Sequence, residues 1–167
     1  DSERAITVIG DRLQPMSSDD LPWDDMKNYD GIFITATDKK GINLAREAKF
    51  LAATPRAGQD TIINSKVKMN ALIGSALDPG EKINFGKLIP KPDLYIATEG
   101  KEGGTIYPEK QRYKSIKPSS QEIDSYGCGD CFAGAVTAAL SANLTLDQAI
   151  NLGAYCGAEC STHYGPY

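Results

Sequence analysis

Two glycines at alternate positions, a carboxylate directly after them and the start of an amphipathic helix meet in one segment, Asp124-Ser125-Tyr126-Gly127-Cys128-Gly129-Asp130-Cys131-Phe132-Ala133-Gly134. Glycine lets a chain turn so that consecutive backbone N–H groups face one point. A helix start contributes its own N–H groups and the positive end of its dipole. The combination is an anion site. An aspartate inside it would repel a bound phosphate. Asp130 makes chemical sense there if it takes the proton of a hydroxyl that attacks a phosphoryl group. The glycine N–H groups would then stabilise charge on the group in transfer. The plainer alternative is an ordinary helix start, since Asp is a favoured cap and Gly is common before helices.

The pattern Asp-x-x-Gly-x-Gly-Asp-x-Phe, followed by a Gly/Ala-rich helix, resembles the second signature of the ribokinase-like carbohydrate kinases, usually Asp-Thr-x-Gly-Ala-Gly-Asp-x-Phe. Ser125 stands for the usual Thr and Cys128 for the usual Ala. Both are small, so the turn is expected to survive. The resemblance implies an anion hole from the backbone N–H groups of Gly127, Cys128 and Gly129. It implies a catalytic base at Asp130 and, where the family holds a monovalent cation such as K+, a ligand at Asp124. It also implies ATP and Mg2+ as cofactors, and a sugar-like or nucleoside-like alcohol as the small-molecule substrate.

A second element agrees in order and separation. Thr98-Glu99-Gly100-Lys101-Glu102-Gly103-Gly104 directly follows an apolar run and resembles the family's Thr-x-Gly-x-x-Gly nucleotide loop. Thr98 would bond phosphate through its hydroxyl, Gly100 would let the triphosphate approach the backbone, and Gly103 is the second glycine of the pattern. On its own the motif is weak, and the loop reads more readily as a hairpin turn. Further on, Gly153, Cys156 and Gly157 stand where the family packs one side of the adenine pocket. Close helix-to-sheet packing accounts for them as well. The family's Asn-x-x-Glu segment, involved in placing Mg2+ and phosphate, has its best equivalent in Ser75-Ala76-Leu77-Asp78, before Pro79-Gly80-Glu81. Mg2+ needs only one or two carboxylates through water. Asp78 is the candidate, with Glu81 as the open alternative. The one histidine, His163, is assigned no role.

Four cysteines, Cys128, Cys131, Cys156 and Cys160, form a Cys-x-x-Cys and a Cys-x-x-x-Cys pair. A zinc site or a redox pair is the sharp reading. Four small buried residues in two Gly/Ala-rich helices is the plain one, and it is preferred. The second spacing is helical, and no turn-type Gly or Pro framing follows either pair.

These groups need a scaffold. The run Ala5-Ile6-Thr7-Val8-Ile9 reads as a strand, and Gln14 to Asp25 as a surface connection rich in Asp, Ser and Pro. Tyr29 to Thr35 is a short β-rich run. A helix is expected from about Lys39 to Lys49, with Leu44, Ala45 and Ala48 on one side. Further apolar runs follow at Phe50 to Thr54 and Ala71 to Ile73, separated by an amphipathic stretch with Ile62, Ile63 and Val67. Leu94 to Thr98 has the continuous apolar character of a buried strand. Thr105 to Tyr107 and Arg112 to Ile116 pair as a hairpin. Two helices close the chain. One runs from about Cys131 to Ser141, with Phe132, Val136 and Leu140 on one face. The other begins at Thr145, with Thr145-x-x-Gln148 as a capping box. It carries Ala149, Leu152, Gly153, Cys156, Gly157 and Cys160 as a small-residue stripe.

Composition sets the outer limits. The chain has 167 residues, 41% hydrophobic and 24% charged, with a formal net charge of −4. That excludes intrinsic disorder and collagen-like structure. An acidic balance speaks against nucleic-acid binding as a bulk property. The longest apolar stretch, Phe132 to Leu140, falls far short of the roughly 20 residues of a membrane helix. No signal or transit peptide is visible, so a cytoplasmic location away from membranes is expected.

Strands alternating with helices indicate an α/β fold with a mainly parallel, Rossmann-type sheet and flanking helices. The resemblance assigns 1–167 to a single partial domain. It is the nucleotide-binding and catalytic half of a ribokinase-like fold, with the N-terminal part and lid absent. Such a half would leave an open sheet edge, so pairing with the missing half or homo-oligomerisation is expected. The leading functional reading is an ATP-dependent phosphotransferase acting on a hydroxyl of a sugar or related alcohol. A catalytically inactive nucleotide-binding regulatory module and a zinc-stabilised structural domain are the alternatives.

Overall fold

Apolar runs of four or five residues, broken by helical segments, produce the expected alternation. The computed structural model describes residues 9–10 and 13–165. In chain order the elements are β1 (Gly31–Ile34), α1 (Lys39–Ala45), β2 (Phe50–Ala53), α2 (Gln59–Ser65), β3 (Ala71–Ser75), β4 (Leu94–Thr98), β5 (Gly104–Tyr107), β6 (Gln111–Tyr113), α3 (Cys128–Ser141) and α4 (Leu146–Cys160). One six-stranded sheet runs in sequence order from β1 to β6. β1 to β4 are parallel, and β5 and β6 add as an antiparallel hairpin.

The sheet is covered on both faces. Leu51 and Ala53 of β2 face a core shared with Ile42 and Ala45 of α1 and Ile62 of α2. Their neighbour Ala52 faces the other core, with Phe132, Val136 and Ala139 of α3 and Ala149, Ile150 and Ala154 of α4. Alternation along a strand whose two faces are both apolar yields the continuous hydrophobic runs seen in the sequence. A crossover of one hand, taken twice in the same direction across the sheet, leaves α1 and α2 in one layer. α3 and α4 form the other.

Several boundaries differ from the sequence expectation. The expected strand at Ala5 to Ile9 lies outside the described residues except for Ile9, which is exposed and in no strand. α1 begins where expected, with Asp38 accepting from Gly41 N–H at 2.6 Å, but it stops at Ala45 and not near Lys49. The Arg46 guanidinium gathers the carbonyls of Ala48 at 2.7 Å and Lys68 at 3.1 Å and the Asn70 side chain at 2.9 Å. This turns the chain at once into β2, while Ala48 stays buried. β6 ends at Tyr113 and not at Ile116, because Ser115 donates to the Lys101 carbonyl and follows the loop before β5. α3 starts at Cys128, three residues earlier than its apolar periodicity suggests.

The α4 start is as expected. Thr145 Oγ1 accepts from Gln148 N–H at 3.3 Å, and Gln148 Oε1 accepts from Thr145 N–H at 2.9 Å. α4 packs tightly along α3. A Cβ at Gly153 would stand 2.6 Å from Val136 Cγ2 and 3.0 Å from the Phe132 carbonyl oxygen. Gly153→Ala is therefore expected to destabilise the fold by about 1–3 kcal/mol, the usual range for overpacking. Chemical denaturation would measure this, and an unchanged midpoint would show that the two helices can separate freely.

Candidate active site

Parallel strands deliver their carboxyl ends, and the loops that follow them, to one rim of the sheet. β2 ends there and leads into Thr54-Pro55-Arg56, β3 ends at Ser75, and β4 ends at Thr98. The first turn of α3 reaches the same rim.

Gly127 is the N-cap of α3 with φ +84°, a left-handed conformation suited to glycine, and it supplies no side-chain cap. Cys128, Gly129 and Asp130 thus form the first turn of the helix itself. Asp130 is inside the helix and exposed, so the plain reading of it as the cap is replaced. Its carboxylate lies in the first turn, where the helix dipole favours a negative charge.

A cleft of about 310 Å³ separates this turn from the loop after β4. Thr98, Gly100, Lys101 and Gly103 line one side. Ser125, Cys128 and Gly129 line another, and Phe132, Ala154, Gly157 and Ala158 form an apolar wall. Tyr113, stacked on Phe132 at 5.7 Å between ring centroids, closes the inner end. Gly103 has φ +84°, and a Cβ there would stand 2.1 Å from the Tyr113 carbonyl oxygen. Only glycine permits that approach. Gly157 faces the Cys128 carbonyl, with a Cβ there 3.1 Å from its oxygen. Polar groups at one end and a small-residue wall at the other suit a nucleotide. Lys101 crosses part of the rim in an ion pair with Glu122 at 2.8 Å. Beside it, Glu99 is held by Arg112 at 2.6 Å. That hydrogen bond keeps the Glu99 carboxyl below its ordinary range.

The segment after β3 is occupied by charge. The Ser75 hydroxyl oxygen accepts from the N–H groups of Leu77 at 3.1 Å and Asp78 at 3.2 Å. Asp78 accepts from Gly80 N–H at 2.8 Å and meets Arg56 Nη2 at 3.4 Å. Glu81 is buried at 7% exposure. One of its oxygens takes Arg56 Nε and Nη2, each at 2.8 Å, and the other takes Ser75 N–H at 2.8 Å. Arg56, and its pairing with the buried Glu81, is the principal feature that sequence reasoning missed; Glu81 itself stood as the alternative to Asp78. A Pro-Arg directly after an apolar run and an Asp-Pro-Gly-Glu turn after the next were the available signals.

Asp124 is a loop staple. It accepts from Tyr126 N–H at 2.9 Å and from Gly165 N–H at 3.1 Å. Cys128, Cys131 and Cys160 cluster where α3 begins and α4 ends, with Cys160 hydrogen-bonded to the other two thiols and near the Tyr126 carbonyl at 3.6 Å. Burial and the Cys160 thiol push the Cys131 thiol up to about 11. No disulfide joins these cysteines. Among the described residues, no group of three or more His, Cys, Asp or Glu is arranged to hold a metal ion.

Thr98, Gly100, Gly103, Cys128, Gly129 and Gly157 thus come together on one cleft, with Gly127 and Asp130 in the adjoining turn. Cys156 is not on its wall. Leu152, placed in the same stripe from sequence, is 41% exposed. The face of α4 is set by what packs on it, namely Phe132 and Val136 against Gly153, and small size alone did not reveal that register. A larger and more open cleft of about 570 Å³ lies on the opposite face of the sheet. It is lined by Phe85, Tyr95 and Tyr107 and includes none of the candidate site residues, so the smaller cleft is the candidate site.

Residues 56–167 match the pfkB family carbohydrate kinase model. Adenosine kinase of Schizosaccharomyces pombe is 34% identical over 92 residues, which are 53% of this chain and 26% of that protein. Ribokinase from Thermotoga maritima superposes with a TM-score of 0.67 at 16% identity, over 87% of this chain and 55% of that one. A ribokinase II from E. coli, in complex with ATP and Mg2+, superposes with a TM-score of 0.58 at 20% identity, over 77% of this chain and 47% of that one. The chain spans about half the length of these two structures and about a quarter of the adenosine kinase.

The raised Cys131 pKa carries its own test. Thiolate is the reactive form, so at pH 8 the native protein should alkylate at Cys131 roughly a hundredfold more slowly than the urea-unfolded chain. The stabilisation linked to this group is complete below its ordinary value of 9.0 and is lost as pH rises through about 11. Mass-spectrometric rates that match in the two states would contradict the described burial.

Proposed function

The chain belongs to the pfkB family of carbohydrate kinases, and from that membership we propose that it transfers a phosphoryl group from ATP to a hydroxyl of a sugar or nucleoside-like alcohol. The observation that carries this reading is the cleft that joins Thr98, Gly100 and Gly129 and ends beside the exposed Asp130.

Phe132, Ala154, Gly157 and Ala158 are the wall for a planar base. The Thr98 hydroxyl, which makes only a long 3.4 Å bond to the Gly74 carbonyl, and the backbone at Gly100 and Gly103 receive phosphates. The N–H groups of Gly127, Cys128 and Gly129, at the positive end of α3, stabilise charge on the transferring group. Asp130 takes the proton of the acceptor hydroxyl as its oxygen bonds phosphorus and the bridge to ADP breaks. Mg2+, when bound with the nucleotide, neutralises phosphate charge. Asp78 is the accessible carboxylate that would hold it through water, since Glu81 is buried under Arg56. Asp124 remains the candidate for a monovalent cation such as K+, although two N–H groups already occupy its carboxylate. A cytoplasmic location is part of the same proposal. Residues 1–167 are read as one partial domain. Among the described residues β1 bonds only to β2, so its other edge is where the rest of the sheet, or a second copy, would add.

Calorimetry with Mg-ADP and Mg-ATP tests the site first, with binding in the micromolar range expected. With the acceptor found by screening sugars and nucleosides, Asp130→Asn should lower kcat by about 10²–10⁴-fold and leave Mg-ADP affinity within about twofold. Nucleotide binding without turnover on any alcohol would favour the regulatory-module alternative. Gel filtration should give an apparent mass above 18.0 kDa, and a compact monomer would refute pairing along β1.

A further inference from the structure

Arg56 stands on the same rim and has no part in the steps given to Asp130 and the α3 turn. Arg56 lies just beyond β2, beside the ends of β3 and β4. Its position is set from two directions. The Pro55 ring packs on β3, where a Cβ at Gly74 would stand 2.7 Å from Pro55 Cδ. Glu81 holds Nε and Nη2 at 2.8 Å and is itself held by Ser75 N–H. The Arg56 side chain is nevertheless 50% exposed, so a ligand can reach it. Neither Arg56 nor Asp130 lines the cleft. Both belong to the rim beyond its polar end, where the reacting end of a bound nucleotide would emerge.

The local charge asks for a cation in that role. Asp78 at 3.4 Å and Glu81 at 2.8 Å flank the Arg56 guanidinium. Against burial, which works the other way, Glu81, Asp78 and Asp130 together raise the Arg56 pKa. Arg56 therefore stays charged and lies within the field of the Asp130 carboxylate. A phosphoryl group beside Asp130 meets electrostatic repulsion that the α3 N–H groups only partly offset. An arginine fixed by a buried carboxylate loses little rotamer freedom when a ligand arrives, and its planar fork matches phosphate oxygens.

We propose that Arg56 binds the terminal phosphoryl group of the nucleotide, presented by Glu81 from the β2–β3 side while the α3 N–H groups act from the helix side. This rests on the nucleotide reading of the cleft. Arg56 contacts the group that moves, and the Glu81 carboxylate positions Arg56.

Mg-ADP and Mg-ATP titrations of the wild-type chain and of Arg56→Gln test it without needing the acceptor. A charge-assisted phosphate contact is worth about 10–100-fold in affinity. Arg56→Gln should weaken Mg-ATP by that factor and leave Mg-ADP within about twofold. Arg56→Lys keeps the charge and loses the fork, so it should fall between the two. If Arg56→Gln is unfolded by circular dichroism, Arg56→Lys decides alone: a selective loss of Mg-ATP affinity supports the proposal, and unchanged affinity for both nucleotides overturns it. An equal loss for both nucleotides in a folded variant overturns it too and reduces Arg56 to a structural tie. If the wild-type chain binds neither nucleotide, the reading of the cleft itself fails and the role of Arg56 falls with it. Binding of both with no change in Arg56→Gln defeats the Arg56 role alone.

Discussion

The site depends on how closely α4 comes to the first turn of α3. Gly157 sits against the Cys128 carbonyl and Gly153 against Phe132 and Val136. Any side chain at these positions would lever α4 away from α3 and occupy the space that forms the cleft wall. Close packing of this kind has little slack, because interiors are as dense as organic crystals. The turn at Gly127 is also fastened to the end of α4. Ile123 N–H donates to the Ser161 carbonyl at 2.7 Å, and Glu159 takes Ser119 N–H at 2.8 Å. The helix start that carries Asp130 is thus positioned by α4 as much as by the sheet.

Electrostatics divides the rim into two parts. On the β4–β5 side, Glu99–Arg112 and Lys101–Glu122 are exposed pairs, which contribute little to stability and weaken with salt. Their value lies in shaping the loop at Gly100 and Gly103. On the β2–β3 side, Glu81 is buried, bonded by Ser75 N–H and neutralised by Arg56. A buried carboxylate stripped of such partners is strongly destabilising, so this half of the rim is rigid. An exposed half that admits a ligand and a half that presents a cation held by a buried carboxylate together suit phosphoryl transfer, in which positioning and charge do most of the work.

Much of the architecture was legible along the chain. Leu94 to Thr98 shows its burial through unbroken apolar character, and the parallel core strands share it. Thr145 and Gln148 announce the start of α4 through a local hydrogen-bond pair. Gly127, Gly129 and Asp130 stand so close in sequence that their local geometry follows from glycine and helix chemistry. The misreadings are equally specific. α1 ends early because the Arg46 side chain gathers carbonyls from residues up to Lys68, a contact that spacing cannot disclose. The family resemblance put Cys156 beside Gly157 at one pocket wall, whereas Gly157 lines the cleft and Cys156 does not, because the packing of α3 on α4 selects which face is presented.

By itself the sequence determined the αβ alternation, the helix start that can hold an anion, and the carboxylate beside it, because each rests on contacts between residues a few positions apart. Tertiary structure alone decided that Thr98 and Gly129 share a cleft, that Gly157 and not Cys156 lines it, and that Arg56 meets Glu81 across two strand ends. Those contacts join residues far apart in the chain, and they exist because parallel strands carry their carboxyl ends to a common rim.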